Sequence, residues 1–271
     1  MWEMNVEQIM HTVKEIAEEA GVLAQKTFIN VSENTFTPKT DGSPVTSADL
    51  EVDTFIRESL ISLTPYTNVL SEEGETHTTI ESTYWIVDPI DGTANFIQKI
   101  PFYTISIALI QDGVPVLGVV HAPSRNETYT GRKDGGATRN GISISSSPCK
   151  SLSGAKILLD HGSHTKTVDF HAKIRKLLED SGSTTTVTEC ASLELCKVAE
   201  GTEDGFIHRG LHAWDIAAGI VIAQAAGAVI TDLQGNPKLL FESGIIASAK
   251  ELSPFLLSIT KVALDEEASG D

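Results

Sequence analysis

Apolar residues recur every three or four positions through residues 5–28, at Val6, Ile9, Met10, Val13, Ile16, Ala17, Ala20 and Leu23. That spacing lines one face of a helix and predicts an amphipathic α-helix. A polar stretch from Asn30 to Pro44, rich in Ser, Asn, Thr and Gly, reads as a loop or hairpin. A second helix is predicted after Thr46, with Leu50, Val52, Phe55, Ile56 and Leu60 on its apolar side. Pro65 disfavours helix at Thr64 and sets its end. Short apolar runs then change the period. Residues 67–71 predict a strand, and Glu72 to Thr78 an acidic loop. Tyr84-Trp85-Ile86-Val87 predicts a buried strand ending at Asp88.

A strand meander is predicted next, at 104–110, 114–121 and 127–130, with turns at Gln111-Asp112-Gly113, Pro123-Ser124-Arg125-Asn126 and Asp134-Gly135-Gly136. Ser145-Ser146-Ser147-Pro148 marks a seam, dividing the chain into 1–148 and 149–271. Beyond it strands and helices alternate. Strands are predicted at 156–160, 184–188, 205–208, 229–232 and 245–248, and helices at 168–180, 192–200, 213–226 and 254–264. The tail from Asp265 is acidic and predicted to fray. The mixture predicts a layered α/β or α+β fold.

The candidate chemistry is carboxylate chemistry. Asp88 and Asp91 flank Pro89-Ile90 at a strand end, and Gly92 permits a sharp turn after them. Two carboxylates so close repel unless they share a proton or a cation. Hard divalent cations such as magnesium take oxygen ligands of this kind. Gly92-Thr93 opens a predicted helical turn whose first N–H groups suit a phosphate oxygen. Three further strings end in acids: Thr46-Ser47-Ala48-Asp49, Ser71-Glu72-Glu73 and Trp214-Asp215. Each also has a plain structural reading. Thr46 and Asp49 form a capping-box pattern, Glu72, Glu73 and Glu75 a solvated loop, and Asp215 a helix-start charge.

Together these strings resemble the inositol monophosphatase family. The resemblance is carried by Pro44-Val45-Thr46-Ser47-Ala48-Asp49, Ser71-Glu72-Glu73, Trp85 to Phe96 including Asp88-Pro89-Ile90-Asp91-Gly92-Thr93, and Trp214-Asp215-Ile216-Ala217-Ala218-Gly219. It implies an αβαβα sandwich, with an antiparallel N-terminal sheet and a smaller mixed C-terminal sheet. It implies a metal-dependent phosphomonoesterase that uses two or three Mg2+ ions, is lithium-sensitive and is a homodimer. The implied metal ligands are Glu72, Asp88, the Ile90 carbonyl, Asp91 and Asp215. Asp49, Thr93 and Glu72 would activate water, and the Gly92 and Thr93 N–H groups would hold phosphate.

Substrate selection is where the chain departs from that pattern. Inositol-selective members carry a glutamate seven residues before the Trp-Asp aspartate; here His208 stands there, followed by Arg209. Such a pair implies a more anionic leaving group. Residues 191–201 resemble the branch that hydrolyses 3′-phosphoadenosine 5′-phosphate, whereas Ala94-Asn95-Phe96 after Thr93 resembles the inositol branch. Fructose 1,6-bisphosphate and histidinol phosphate are further substrates of the superfamily. A member turned binding or regulatory module is the non-enzymatic alternative, and the intact acids argue against it. Glu189 and Ser192 fall where the family's substrate loop is expected.

Composition narrows the partners. The formal charge of −17 disfavours nucleic-acid polymers, which bind basic surfaces. A small phosphate ester stays compatible, because bound cations reverse the local sign. Three cysteines, Cys149, Cys190 and Cys196, without a C-x-x-C pair, suggest reduced thiols and a cytoplasmic setting, with Cys190 and Cys196 as packing groups. No run of about 20 apolar residues predicts a membrane span. His208 and His212 have a zinc-like spacing but no helical context, and His161 and His164 read as loop residues.

Overall fold

The structure is a computed structural model that describes residues 5–30, 36–38, 44–74, 82–160 and 165–269. In chain order it runs α1 (Val6–Asn30), β1 (Phe36–Pro38), β2 (Pro44–Thr46), α2 (Ser47–Leu63), β3 (Asn68–Ser71), β4 (Thr83–Asp91) and α3 (Thr93–Ile97). The meander follows as β5 (Thr104–Gln111), β6 (Val114–Ala122), β7 (Glu127–Arg132), β8 (Ala137–Arg139) and β9 (Ile142–Ser143). Then come β10 (Lys156–Leu159), α4 (Thr165–Asp180), β11 (Thr184–Thr186), α5 (Ala191–Ala199) and β12 (Gly205–His208). The chain closes with α6 (Ala213–Ala225), β13 (Val229–Thr231), β14 (Ile245–Ser248) and α7 (Ser253–Ser269).

Strands β3 to β9 form a seven-stranded sheet in sequence order. It is antiparallel except at one edge, where β3 and β4 run parallel. The second sheet has five strands in the order β11-β10-β12-β14-β13 and is mixed, parallel on one side of β12 and antiparallel on the other. Helices α1 and α2 cover the outer face of the large sheet, and α5 and α6 lie between the sheets. Helices α4 and α7 pack together on the far face of the small sheet. This is the expected αβαβα order. No helix among the described residues is long and apolar enough to cross a membrane.

Each core follows from periodicity. In α1, Ile9, Val13, Ile16, Ala17, Ala20 and Ala24 are buried at spacings of three and four. In α2, Val52, Ile56 and Leu60 do the same, while Leu50, expected on that face, is exposed. Strand β4 serves two cores by alternation: Trp85 and Val87 face α1 and α2, and Tyr84 and Ile86 face the central layer. The Trp85 indole N–H is satisfied by Thr64 Oγ1 at 2.8 Å.

Two expectations are corrected. β4 does not stop at Asp88 but continues to Asp91. Asp88 pairs with Ser106 and Asp91 with Thr104, so three steps on β4 match two on β5. The bulge absorbs Pro89, which has no N–H to give a central ladder. The last helix does not end at Leu264 with a frayed tail; it continues to Ser269. There Glu267 takes Arg209 Nη1 at 2.8 and 3.0 Å, which ties the acidic end of α7 to the end of β12.

Helix α6 approaches the large sheet over two facing glycines, Gly118 of β6 and Gly131 of β7. A Cβ on Gly118 would stand 2.6 Å from the Ala218 carbonyl oxygen, and one on Gly131 2.6 Å from Ile222 Cα. Neither neighbour is a flexible side-chain end that could swing aside. Gly118→Ala is therefore expected to destabilise by about 1–3 kcal/mol in urea denaturation. Gly136→Ala, where no atom lies within 4 Å of the added carbon, is expected to change stability by less than about 0.5 kcal/mol.

Candidate active site

The parallel β3–β4 edge brings the first two acids together. Ser71 is paired with Val87, so Glu72 and Asp88 follow side by side, and Glu72 N–H donates to the Val87 carbonyl at 3.2 Å. Behind them Ser71 Oγ donates to Asp53 Oδ1 from α2, which fixes the end of β3. Asp88 accepts the Ile90 N–H at 3.0 Å across Pro89 and is almost fully buried. Burial pushes its carboxyl well above the ordinary range, and the charges of Glu72, Asp91 and Asp215 push it further. The four acids therefore share one electrostatic environment.

Asp91 is held by the start of α5. Its Oδ2 accepts the Ser192 N–H at 2.7 Å, Ser192 Oγ at 2.6 Å and Cys190 Sγ at 3.3 Å. Thr104 Oγ1 in turn lies 2.5 Å from Ser192 Oγ. Burial raises the Asp91 carboxyl, and the hydrogen bonds from Ser192 and Cys190 oppose that rise. Asp215, in the first turn of α6, accepts the His212 N–H at 2.7 Å.

Asp49 caps a helix and also faces Thr93. Its Oδ2 accepts Thr46 N–H at 2.7 Å and Thr46 Oγ1 at 2.5 Å, which completes a capping box at the start of α2. Its Oδ1 faces Thr93 Oγ1 at 3.3 Å, and that hydroxyl also lies 3.0 Å from the Ile90 carbonyl. Asp49 is buried, and burial raises its carboxyl, with Thr46 opposing and Glu72 adding to the rise. Gly92 sets Thr93 in place through a left-handed turn, φ +87°. A Cβ there would meet the Phe102 carbonyl oxygen at 2.8 Å, so only glycine fits. Asn95 Nδ2 then donates to Thr188 O at 2.7 Å and Phe102 O at 2.9 Å, which fastens α3 to the segment before α5.

Two of these acids, Asp91 and Asp215, line a cavity of about 310 Å3 together with Asp160, Glu189, Glu194 and His208. His208 Nε2 bonds Asp160 Oδ2 at 2.8 Å. Arg209, expected beside His208 in the pocket, points away: its guanidinium is paired with Glu267 and lies 5.2 Å over the Phe170 ring. No lysine or arginine lines the cavity among the described residues. Glu75, His161 and His164 lie outside the described residues.

The donor set suits a hard cation in kind, since it is oxygen throughout and its crowded charge favours a shared positive ion. Among the described residues, however, no three His, Cys, Asp or Glu side chains close on one point as a finished coordination sphere. The acids are instead committed partly to backbone N–H groups, as the distances above show.

Sequence reasoning missed three partners. Cys190 reads as packing but contacts Asp91, Thr104 reads as a strand residue but supports Ser192, and Asp160 reads as a strand end but pairs with His208. The first two connect positions 99 and 88 residues apart, which no local pattern encodes. The third had a signal: β10 and β12 are neighbouring strands of one predicted α/β half.

Comparison with known proteins agrees with this geometry. Residues 5–263 match the model of the Inositol monophosphatase family. Inositol-1-monophosphatase of Rhizobium meliloti (strain 1021) is 35% identical over 79% of this chain and 82% of its own. The 3′(2′),5′-bisphosphate nucleotidase CysQ of Escherichia coli (strain K12) is 34% identical over 84% and 92%. The structure of a Thermotoga maritima IMPase superposes with a TM-score of 0.87 at 29% identity, covering 96% of this chain and 99% of that one. The chain belongs to the inositol monophosphatase family, whose members are phosphatases.

Proposed function

We propose that the protein hydrolyses a small phosphate monoester in a magnesium-dependent reaction, with inositol monophosphate as the representative substrate. The observation that carries this reading is that the charges of Glu72, Asp91 and Asp215 all act on the buried Asp88, beside the Thr93–Asp49 pair. Glu72, Asp88, the Ile90 carbonyl, Asp91 and Asp215 would hold the metal. The Ile90 oxygen already faces Thr93 Oγ1, so it would use its second lone pair. When bound, the divalent cations supply Lewis-acid polarisation of the phosphate and of the attacking water.

The chain's own residues supply the proton route and the alignment. Thr93 Oγ1 can pass a proton to Asp49 Oδ1 while accepting one from water. The raised Asp49 carboxyl is a better base than an exposed aspartate. Thr46 holds the other oxygen, so the receiving oxygen is fixed toward Thr93. Glu72 acts on Asp49, Asp88 and Asp91 alike, which makes it common to the base and the ligand set. The Gly92 and Thr93 N–H groups would orient phosphate. Two or three magnesium ions, lithium sensitivity, a cytoplasmic setting and a homodimer belong to the same reading.

The nucleotidase relatives favour a second substrate, 3′-phosphoadenosine 5′-phosphate. The cavity wall favours the polyol instead. A second phosphate would meet Asp160 and Glu189 with no described lysine or arginine to receive it. Fructose 1,6-bisphosphate faces the same objection. A phosphate-release assay with magnesium, offering inositol 1-phosphate, histidinol phosphate, fructose 1,6-bisphosphate and 3′-phosphoadenosine 5′-phosphate, is expected to favour the leaving groups without a second phosphate. Fastest release from the nucleotide would overturn the polyol reading, and release from none would leave a binding module.

Asp91→Asn keeps an oxygen for the Ser192 donors but removes the charge. It is expected to lower kcat at least about a hundredfold with magnesium while leaving the far-UV spectrum unchanged. Near-normal turnover would remove Asp91 from the ligand set.

Glu194 supplies a pH test. It is fully buried, accepts Thr188 N–H and Oγ1, and burial pushes its carboxyl up to about 8. The folded state therefore holds a proton that the unfolded chain releases near its ordinary carboxyl range. Stability contributed by this group falls as pH rises from about 4.5 to about 8 and is level above that. Glu194→Gln is expected to flatten the decline across that window in metal-free urea denaturation. Parallel curves for the two proteins would show that Glu194 is not the group responsible.

A further inference from the structure

Asp91 owes its neighbours to the irregularity in β4. Counting on from the Asp88–Ser106 pair, an unbroken ladder would set Asp91 opposite Tyr103, which packs in the core with α1 and α2. The bulge moves the register by one residue, and Asp91 pairs with Thr104 instead. Thr104 and Ser192 are both fully buried. The Ser192 hydroxyl lies 2.6 Å from Asp91 Oδ2 and 2.5 Å from Thr104 Oγ1. Side chains from β4, β5 and α5 thus meet in one chain of hydrogen bonds.

Counting hydrogens fixes the direction of that chain. An ionised carboxylate only accepts, and a hydroxyl carries a single hydrogen. Ser192 Oγ gives its hydrogen to Asp91, so Thr104 Oγ1 donates to Ser192. Each bond polarises the next in a place that water does not reach. The Ser192 N–H and the Cys190 thiol also end on Asp91 Oδ2, at 2.7 and 3.3 Å. The three donors converge on one oxygen, and none of them goes to Oδ1. Oδ2 is thereby committed to the protein, and Oδ1 is the oxygen these donors do not claim. Asp91 lines the cavity, whereas Ser192 and Thr104 are not among its lining residues.

We infer that Ser192 is a positioning residue for the metal site, acting through Asp91, and that Thr104 in turn sets the Ser192 hydroxyl. The two hydroxyls decide which Asp91 oxygen stays with the protein and which is offered to a divalent cation. They hold the carboxylate in that orientation before the cation arrives. The inference rests on the magnesium-dependent reading above. Outer hydrogen bonds of this kind orient a metal ligand, and losing one typically costs about 10- to 100-fold in metal affinity.

The test titrates Mg2+ into the full chain without substrate and reads the rise in melting temperature, from which an apparent Kd follows. The metal-free melting temperature reports stability in the same experiment. Ser192→Ala keeps the N–H bond to Asp91 and removes the hydroxyl. It is expected to raise the Mg2+ Kd about tenfold or more. Thr104→Val removes only the donor behind Ser192 and is expected to raise Kd by a smaller factor. Thr104→Ser, which keeps a hydroxyl, is expected to bind Mg2+ as wild type does. Because Thr104 acts through Ser192, adding Thr104→Val to Ser192→Ala is expected to cost no further affinity. An unchanged Kd in folded Ser192→Ala overturns the inference alone, even if metal-free stability falls, because a merely structural role moves stability and leaves Kd. Should Ser192→Ala fail to fold, equal Kd values for Thr104→Val and Thr104→Ser overturn it. Losses that add in the double variant overturn the assignment of Thr104. A wild-type protein whose melting temperature does not respond to Mg2+ overturns the magnesium reading and the inference with it.

Discussion

Four carboxylates, Glu72, Asp88, Asp91 and Asp215, have to be brought within reach of one another in a region where Asp88 and Asp91 are nearly shut off from water. Burial and mutual repulsion both oppose this, and the raised Asp88 carboxyl records both. The fold answers by aiming the starts of helices at them. Asp49 is bound at the start of α2, Asp91 by the first residues of α5, and Asp215 at the start of α6. Helix starts carry N–H groups without carbonyl partners and a partial positive charge, so each acid meets a need of its helix as the helix meets a need of the acid. The remaining negative charge is left for a proton or a cation to balance.

That solution constrains the layers. Helices α5 and α6 lie between the sheets, and their starts reach the acids only if α6 sits close to the large sheet. Gly118 and Gly131 give α6 its seat, and Gly219 admits Leu195 of α5, whose side chain would stand 2.6 Å from a Cβ there. A few tenths of an ångström at these contacts pass directly to Ser192 and Asp215, because helices are stiff along their length. Packing in the central core and the geometry of the site are therefore one problem.

The elements were largely legible because strands of the large sheet, buried on both faces, read as short continuous apolar runs, while α1 and α2 keep an apolar face at helical spacing. β12 and β14 appear with the predicted limits, 205–208 and 245–248. The errors have local physical causes. Pro89 suggests a strand end, but a bulge lets β4 pass through it. The tail beyond Leu264 looks solvated, but Glu267 finds Arg209 across the small sheet's outer layer. Asp49, Glu72, Asp88, Asp91 and Asp215 carry the family strings and could be named from sequence. The groups that tune them, Ser192, Cys190 and Thr104, act across the fold, and their side chains give no pattern along the chain.

The same distinction separates chemistry from selection. The acids and Thr93 belong to the large sheet and to helix starts that several layers must agree on, so a change at any of them disturbs capping, packing and charge together. A change at Asp49 alters the cap of α2 and the contact with Thr93 together. Asp160 and His208 stand instead at the ends of two neighbouring strands of the small sheet, and a hydrogen bond joins them. Relatives of similar identity bear the names of an inositol phosphatase and of a nucleotidase, so the family's scaffold accommodates more than one leaving group. Within this chain Asp160, Glu189 and Glu194 line the cavity, while Arg209 turns to Glu267 and Phe170.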